Sequence, residues 1–300
     1  MSYIPAMANI TIPNRPALAG ALQQAMEDQR AGHLKKAEAG YRRVLGAEPT
    51  NANANHLLGI ILTQTERAKK AVPLLRRAVN AAPKSAQFRG NLAEACRLAG
   101  RFQDESKALQ AALKLTPENG QLLHRLCAAL IKLSRYEDVI YVAGRALELD
   151  PASALAHNNQ GLALQALGRG EEAEKAYRQA LEHNPEYPQA LSNLGVVLQS
   201  TGRKEEAEKT YRRAIELKPE YTQALGNLAA LVQELRRSEE AEEMYIKVIA
   251  IAPDYAEAHN NLGNLLQDQG RLEDSLVSYR RRDNLAQRRF PALFQPRQPL

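Results

Sequence analysis

The chain has 300 residues, of which 40 are Lys or Arg and 34 are Asp or Glu, and a net charge of +6 at pH 7. No stretch approaches the roughly 18 to 20 consecutive apolar residues of a membrane-spanning helix, and the first residues lack the basic start and apolar run of a secretory signal. Six arginines lie within residues 280–300 against a single acid, so the rest is nearly neutral and has no basic stripe for nucleic acid. We therefore expect a soluble, cytoplasmic protein.

Few side chains are arranged for chemistry. Cys96 and Cys127 are too few for a disulfide framework or a zinc site, and their small apolar places predict buried thiols. The histidines show no metal-binding spacing, and no phosphate-binding glycine loop, carboxylate pair or nucleophile–base arrangement is present. We expect no metal, no cofactor and no enzymatic activity.

The N-terminal residues 1–17 contain three prolines and no period, which predicts a loose lead-in. After it, seven prolines recur every 34 residues, at Pro49, Pro83, Pro117, Pro151, Pro185, Pro219 and Pro253. This register indicates an array of like units over residues 18–280. Counting back from each proline gives repeats at 18–51, 52–85, 86–119, 120–153, 154–187, 188–221 and 222–255, with a partial one at 256–280.

The fifth repeat shows the plan of one unit. Apolar residues at helical spacing fill 154–167 and again 171–183, and the two segments are closed by Gly168 and Pro185. The sequence therefore predicts two helices and two short turns in each repeat.

Residue size predicts how these helices pack. Place eight, counted from the start of each repeat, is always small: Ala25, Gly59, Ala93, Cys127, Gly161, Gly195, Ala229 and Gly263. Place twenty is Ala in five repeats, and place twenty-four is Tyr in five. Small side chains let two helices approach closely, and the tyrosine fills the remaining gap. Because Glu105, Val139 and Ala143 break the pattern, repeats three and four should pack least regularly.

The pattern fails after Tyr279, and residues 281–300 form a basic, proline-containing tail. Three interpretations remain open. The chain is truncated or altered relative to a longer parent, the tail touches an acidic partner or membrane surface, or it covers the last helix through Phe290, Leu293 and Phe294.

The period, the small place eight, Ala at twenty, Tyr at twenty-four and Pro at thirty-two resemble the tetratricopeptide repeat (TPR) family over residues 18–280. The resemblance implies an all-α fold, a right-handed superhelix (α-solenoid) of about seven and a half helix-turn-helix repeats. It also implies that the first helix of each repeat lines a concave groove with places two, five, six, nine, twelve and thirteen.

Side-chain amides dominate those places in the last four repeats. Place six carries Asn91, Asn159, Asn193, Asn227 and Asn261, place twelve carries Gln165, Gln199, Gln233 and Gln267, and place two adds Gln189 and Gln223. A carboxamide has the donors and acceptors of a peptide bond, so these rows predict binding of an extended peptide by its main chain. The alternative is that the asparagines only stabilise the helix start or the contact between repeats.

A second binding mode of the family is a clamp of Lys, Asn and Arg that holds carboxylates. Asn91 and Arg125 occupy matching places, but His56, Ile60 and Gln121 stand where Lys, Asn and Lys are required. We therefore expect Arg125 to line the groove or to pair with a neighbouring acid.

The chain is also similar to the superhelical TPR arm of O-GlcNAc transferase, most clearly at residues 259–275. The expected function is a non-enzymatic protein–protein interaction scaffold that binds extended peptide segments in the Asn/Gln-lined groove. The alternative is a detached or truncated substrate-recognition arm of an O-GlcNAc transferase-like glycosyltransferase or of a sulfotransferase. A third interpretation is self-association through the end repeats.

Overall fold

The computed structural model describes residues 15–289, which form sixteen α-helices paired as eight successive hairpins. The chain divides after Asp150 into two compact units of four hairpins each. The helices of unit 1 are α1 (Arg15–Arg30), α2 (Leu34–Ala47), α3 (Ala52–Gln64), α4 (Ala68–Ala81), α5 (Ala86–Leu98), α6 (Phe102–Leu113), α7 (Gly120–Lys132) and α8 (Tyr136–Leu149). The helices of unit 2 are α9 (Ala154–Ala166), α10 (Gly170–His183), α11 (Pro188–Ser200), α12 (Lys204–Leu217), α13 (Thr222–Glu234), α14 (Ser238–Ile251), α15 (Ala256–Asp268) and α16 (Leu272–Arg289).

Each hairpin turns at place fifteen, where the backbone adopts the left-handed conformation in all eight repeats. Glycine fills this place in five repeats because it has no Cβ to clash there. Glu66, Ser134 and Arg236 adopt the same conformation in the other three, with φ of 59°, 55° and 62°. The repeat as a whole therefore sets the conformation of the turn, and glycine adopts that conformation with the least steric strain.

The second helix of each repeat stops ahead of the periodic proline. In the fifth repeat α10 ends at His183, and Asn184 is already extended. A residue that precedes proline is driven out of the helical region by the pyrrolidine ring, so the proline fixes the boundary between repeats.

The two helices of a hairpin approach most closely at place eight. A Cβ added to Gly161 would lie 2.7 Å from Cε1 of Tyr177, and one added to Gly195 would lie 2.5 Å from Cε1 of Tyr211. In these two repeats the tyrosine at place twenty-four therefore lies directly over the glycine at place eight. Tyr41, Tyr177, Tyr211 and Tyr245 are among the largest fully buried side chains of the described residues.

Within unit 2 the first helices α9, α11, α13 and α15 contact one another in succession. Successive second helices make no comparable contact among the described residues of this unit. The first helices are thus the more closely spaced layer, and they form the concave side of the array. These features confirm the predicted all-α solenoid.

The array extends further than the predicted bounds in both directions. Helix α1 begins at Arg15 and α16 continues to Arg289, so the described residues hold a complete eighth hairpin where the sequence predicted a partial one. In repeat three α6 is two residues shorter than the usual second helix. The proposals for residues 290–300 lie outside the described residues. No helix among residues 15–289 is long and apolar enough to cross a membrane.

Candidate functional site

The candidate site is the inner face of unit 2, which we define as the first-helix side chains at places two, five, six, nine, twelve and thirteen of α9, α11, α13 and α15. The structure brings ten of the twelve predicted site residues onto this face, all but Asn91 and Arg125. Those two lie on α5 and α7 of unit 1.

The glutamines at place twelve are each bonded to the tyrosine of their own repeat. The Tyr177 hydroxyl donates to Gln165 Oε1 at 2.8 Å, and the same bond joins Tyr211 to Gln199 at 3.2 Å. It recurs from Tyr245 to Gln233 at 3.1 Å and from Tyr279 to Gln267 at 2.9 Å. Because a buried hydroxyl needs a partner, this bond gives the glutamine row a structural role.

The same bond changes what the row can offer a ligand. Each glutamine oxygen has one of its two lone pairs engaged by the tyrosine hydroxyl, and its amide nitrogen carries two N–H donors. Gln199 donates to Glu234 Oε2 at 3.2 Å. Among the described side chains the amide nitrogens of Gln165, Gln233 and Gln267 have no hydrogen-bond partner. These three amides therefore present free N–H donors beside an oxygen that is already half engaged.

The asparagines at place six differ from one another in their surroundings. Asn193 Nδ2 donates to Asn158 Oδ1 of the preceding repeat at 3.1 Å. Asn159 is 8% exposed. The Nδ2 of Asn227 is buried and lacks a partner among the described residues, although an unpaired buried donor is costly.

The eighth repeat ends the row. Asn261 Oδ1 accepts a bond from Asn260 Nδ2 at 3.3 Å. Burial raises the pKa of Tyr245 to about 12, and a hydrogen bond from Asn261 opposes that rise.

Gln189 and Gln223 at place two are exposed, and Gln223 Oε1 accepts from the Tyr221 hydroxyl at 3.1 Å.

The corresponding face of unit 1 is charged. Arg125 donates to Glu94 Oε2 at 3.0 Å, which agrees with the expectation that it pairs with a neighbouring acid. Asn91 Nδ2 lies 2.7 Å from His56 Nε2, and burial holds the pKa of that imidazole below its ordinary value. Unit 1 therefore lacks a continuous neutral amide row.

Three tyrosines that the sequence reasoning did not single out also border the inner face of unit 2. Tyr187, Tyr221 and Tyr255 occupy place thirty-four and directly precede α11, α13 and α15. Burial raises the pKa of all three, and the neighbouring Tyr221 adds to the rise at Tyr187. The 34-residue spacing of these tyrosines was the signal that could have identified them.

The described residues offer no side-chain cluster for a metal ion and no reactive cysteine. No group of three or more His, Cys, Asp or Glu side chains could hold a metal ion among them. Cys96 and Cys127 are free and buried, as predicted. Burial raises the pKa of Cys96 to about 11 and that of Cys127 to about 12, so neither is a reactive thiolate.

The hairpins, the stacking of their first helices and the exposed concave face define an α-solenoid of helical repeats. Family models of the tetratricopeptide repeat match residues 29–94 and 158–222, and a further TPR model matches 237–270. The chain belongs to the tetratricopeptide repeat family. No protein of curated function matches it in sequence.

Several solved structures have a similar fold. YrrB, described as a TPR protein with an unusual peptide-binding site, is 20% identical and superposes with a TM-score of 0.50, covering 62% of this chain and 95% of YrrB. The MamA protein is 22% identical with a TM-score of 0.52, covering 56% of this chain and 92% of MamA. At these identities the likeness concerns the fold alone.

Proposed function

We propose that the protein is a non-enzymatic interaction scaffold that binds an extended peptide segment along the inner face of unit 2. A repeat array offers a long concave surface in place of one enclosed cavity. The observation that carries the proposal is the continuous series of neutral amides on α9, α11, α13 and α15, in which several N–H donors have no partner within the described chain.

The chemistry of these amides favours main-chain recognition. A neutral hydrogen bond contributes only about 0.5–1.5 kcal/mol net, so useful affinity requires several of them in series. Four successive first helices supply such a series at one spacing. The absence of a dominant charge on the amide rows favours a ligand that is held by its backbone.

The direct test is selection of binders from a random linear twelve-residue peptide library displayed on phage, with the full chain as bait. We expect enriched peptides, whose affinities are then measured by fluorescence anisotropy. Two variants test the site. One combines Asn193→Ala with Asn227→Ala, and the other combines the exposed changes Gln189→Ala and Gln223→Ala.

Each double variant should weaken peptide binding at least fivefold. Gln103→Ala with Gln110→Ala is the matched control, because both of these amides are exposed on the second helix α6. Circular dichroism of every variant separates lost binding from lost folding. A library that yields no binder, or binders that ignore both double variants, would overturn the proposal.

A further inference from the structure

Resting on the proposed function, we infer that the ligand class of this face is a proline-rich segment in the polyproline II conformation. Three features of unit 2 carry the inference. They are a tyrosine row, a row of amides with free N–H donors, and the spacing of the first helices.

The tyrosine row runs alongside the amides, with one ring per repeat. The Tyr221 ring packs on the cluster of Leu191, Ala214 and Ala224, and its hydroxyl reaches the exposed Gln223 at place two. Tyr255 repeats this arrangement one repeat later, with its hydroxyl 3.2 Å from Glu257 Oε2. Each ring is thus held by its repeat while its hydroxyl end borders the inner face. Aromatic-lined grooves are the usual docking surface for polyproline II segments.

These tyrosines occupy the place that carries a helix-capping side chain in three repeats of unit 1. At the same place in unit 1 the side chains of Asn51, Ser85 and Asn119 accept a hydrogen bond from the first turn of the next helix. Tyr187, Tyr221 and Tyr255 make no such side-chain bond. A cap residue stabilises a helix by about 1 kcal/mol. Three successive repeats thus replace a capping side chain by a tyrosine, and such departures from local helix stability are typical of a functional surface.

The hydrogen-bonding character of the amide row fits the same ligand. The oxygens of Gln165, Gln233 and Gln267 each accept one tyrosine hydroxyl, and the N–H donors of these amides are free among the described residues. A polyproline II segment has no internal hydrogen bonds, so its carbonyl oxygens are free to accept. Proline has no backbone N–H. Such a ligand therefore has few N–H donors that would need an acceptor on this row.

The usual spacing of packed helices is closer to one turn of polyproline II than to the two-residue repeat of a β-strand. Packed helices lie about 8–10 Å apart, and successive first helices of unit 2 are in contact. One turn of polyproline II takes three residues at about 3.1 Å each, which is about 9 Å. A strand repeats every two residues, or about 6.7 Å, and would lose register within two repeats. One ligand turn can therefore face each tyrosine.

The test uses the full chain and three fluorescein-labelled twelve-residue probes measured by anisotropy. They are four copies of Pro-Pro-Ala, four copies of Ser-Gly-Ala, and six copies of Thr-Val. We expect the proline probe to bind at least tenfold more tightly than either of the other two.

The diagnostic variant combines Tyr221→Asn with Tyr255→Asn. Asparagine is the cap residue at the same place in unit 1. The double change removes two rings, and the new caps should offset part of the stability lost with their packing. It should weaken binding of the proline probe at least tenfold. Tyr141→Asn is the matched control, because Tyr141 is 69% exposed on the second helix α8 and lies away from the inner face.

The outcomes separate this inference from the proposed function. Library-selected peptides that lack proline and still lose affinity in the amide variants would sustain the function and overturn the ligand class. Equal affinity for the proline and Thr-Val probes, or a proline probe insensitive to the tyrosine variant, would also overturn it. A full chain that binds no peptide of any kind would end the proposed function itself.

Discussion

Glu105 is the residue at which this chain departs most sharply from its own repeat. It occupies place twenty, where five repeats have alanine, and its Oε2 is buried without a hydrogen-bond partner among the described residues. Burial raises the pKa of its carboxyl to about 7, although the charges of Arg125 and Arg97 oppose the rise, and Glu94 adds to it. The ionised form is therefore strained in the folded state.

Replacing this acid should make the protein more stable at neutral pH. Since the folded-state pKa lies above the ordinary value of 4.5, the contribution of Glu105 to wild-type stability is most favourable below pH 4.5 and becomes less favourable as the pH rises toward 7. The uncharged Glu105→Gln side chain does not titrate. Its gain in unfolding free energy should be near zero at pH 4, then grow to on the order of 2 kcal/mol above pH 7. Urea denaturation across this range measures the difference.

Comparing variant with wild type removes the contributions of all groups that the two proteins share. Glu118→Gln, at an exposed position, is the control and should give a small change. A Glu105→Gln gain that is equally large at pH 4 and pH 8 would show that removal of the charge is not responsible.

The position of this irregularity could be predicted from the sequence, but its protonation could not. Glu105 stands out because every neighbouring repeat defines what belongs at place twenty. The groups that shift its pKa come from α5 and α7, and their approach depends on side-chain conformations that the period does not specify. Likewise, the amides of the candidate site were predictable by place, whereas the bonds of Gln165 and Gln233 to tyrosine were not.

At the scale of elements, the close approach of α11 and α12 leaves no room for a methyl group at place eight of the sixth repeat. A Cβ at Gly195 on α11 would lie 2.5 Å from the ring of Tyr211 on α12. Gly195→Ala should therefore lower the unfolding free energy by about 1–3 kcal/mol through overpacking. This loss outweighs the gain of about 0.5–1 kcal/mol that alanine brings to a helix interior. Thermal and urea unfolding measure the change.

Gly144 on α8 provides the opposite control. A Cβ at this glycine would meet nothing within 4 Å, so Gly144→Ala should stabilise the protein by about 0.5–1 kcal/mol. If both alanine variants change stability in the same direction, the contact with Tyr211 is not what keeps place eight small.

The period also explains why element bounds were predicted closely. The fifth repeat was expected to hold helices over 154–167 and 171–183, and α9 and α10 span Ala154–Ala166 and Gly170–His183. Because each turn and each proline recurs along the array, a helix boundary that is ambiguous in one repeat can be assigned from the others. The signal fails at the chain ends, where α16 continues to Arg289 with no further repeat to define its limit.

Across the whole molecule, one pattern of ion pairs recurs on the second helices. In unit 1 Glu38 accepts bonds from Arg42 and Arg67. In unit 2 Glu174 pairs with Arg178 and Arg203, and the arrangement recurs 34 residues later, at Glu208, with Arg212 and Arg237. Each of these glutamates thus joins its own helix to the turn of the next repeat. Such networks stabilise more reliably than isolated surface pairs.

These pairs predict sensitivity to acid in unit 2. Hydrogen bonds from Arg203 and then Arg178 hold the pKa of Glu174 below its ordinary value. For Glu208, burial alone would raise the pKa, but bonds from Arg212 and Arg237 outweigh it and the pKa is lowered. With folded pKa values depressed, the stabilisation is present above pH 4.5 and is lost as the pH falls through the folded values.

The double variant Glu174→Gln with Glu208→Gln should lose about 1 kcal/mol of unfolding free energy at pH 7, because solvent screens pairs near the surface. The loss should shrink as the pH falls below 4.5 and also in 1 M salt, because the wild-type pairs are progressively protonated or screened. Urea denaturation in both conditions gives the comparison. Glu182→Gln with Glu243→Gln, at exposed positions without ion pairs among residues 15–289, should change little at any pH. A double-variant loss that persists at pH 3 would assign these glutamates a packing role and leave the arginines unnecessary to the stacking of repeats.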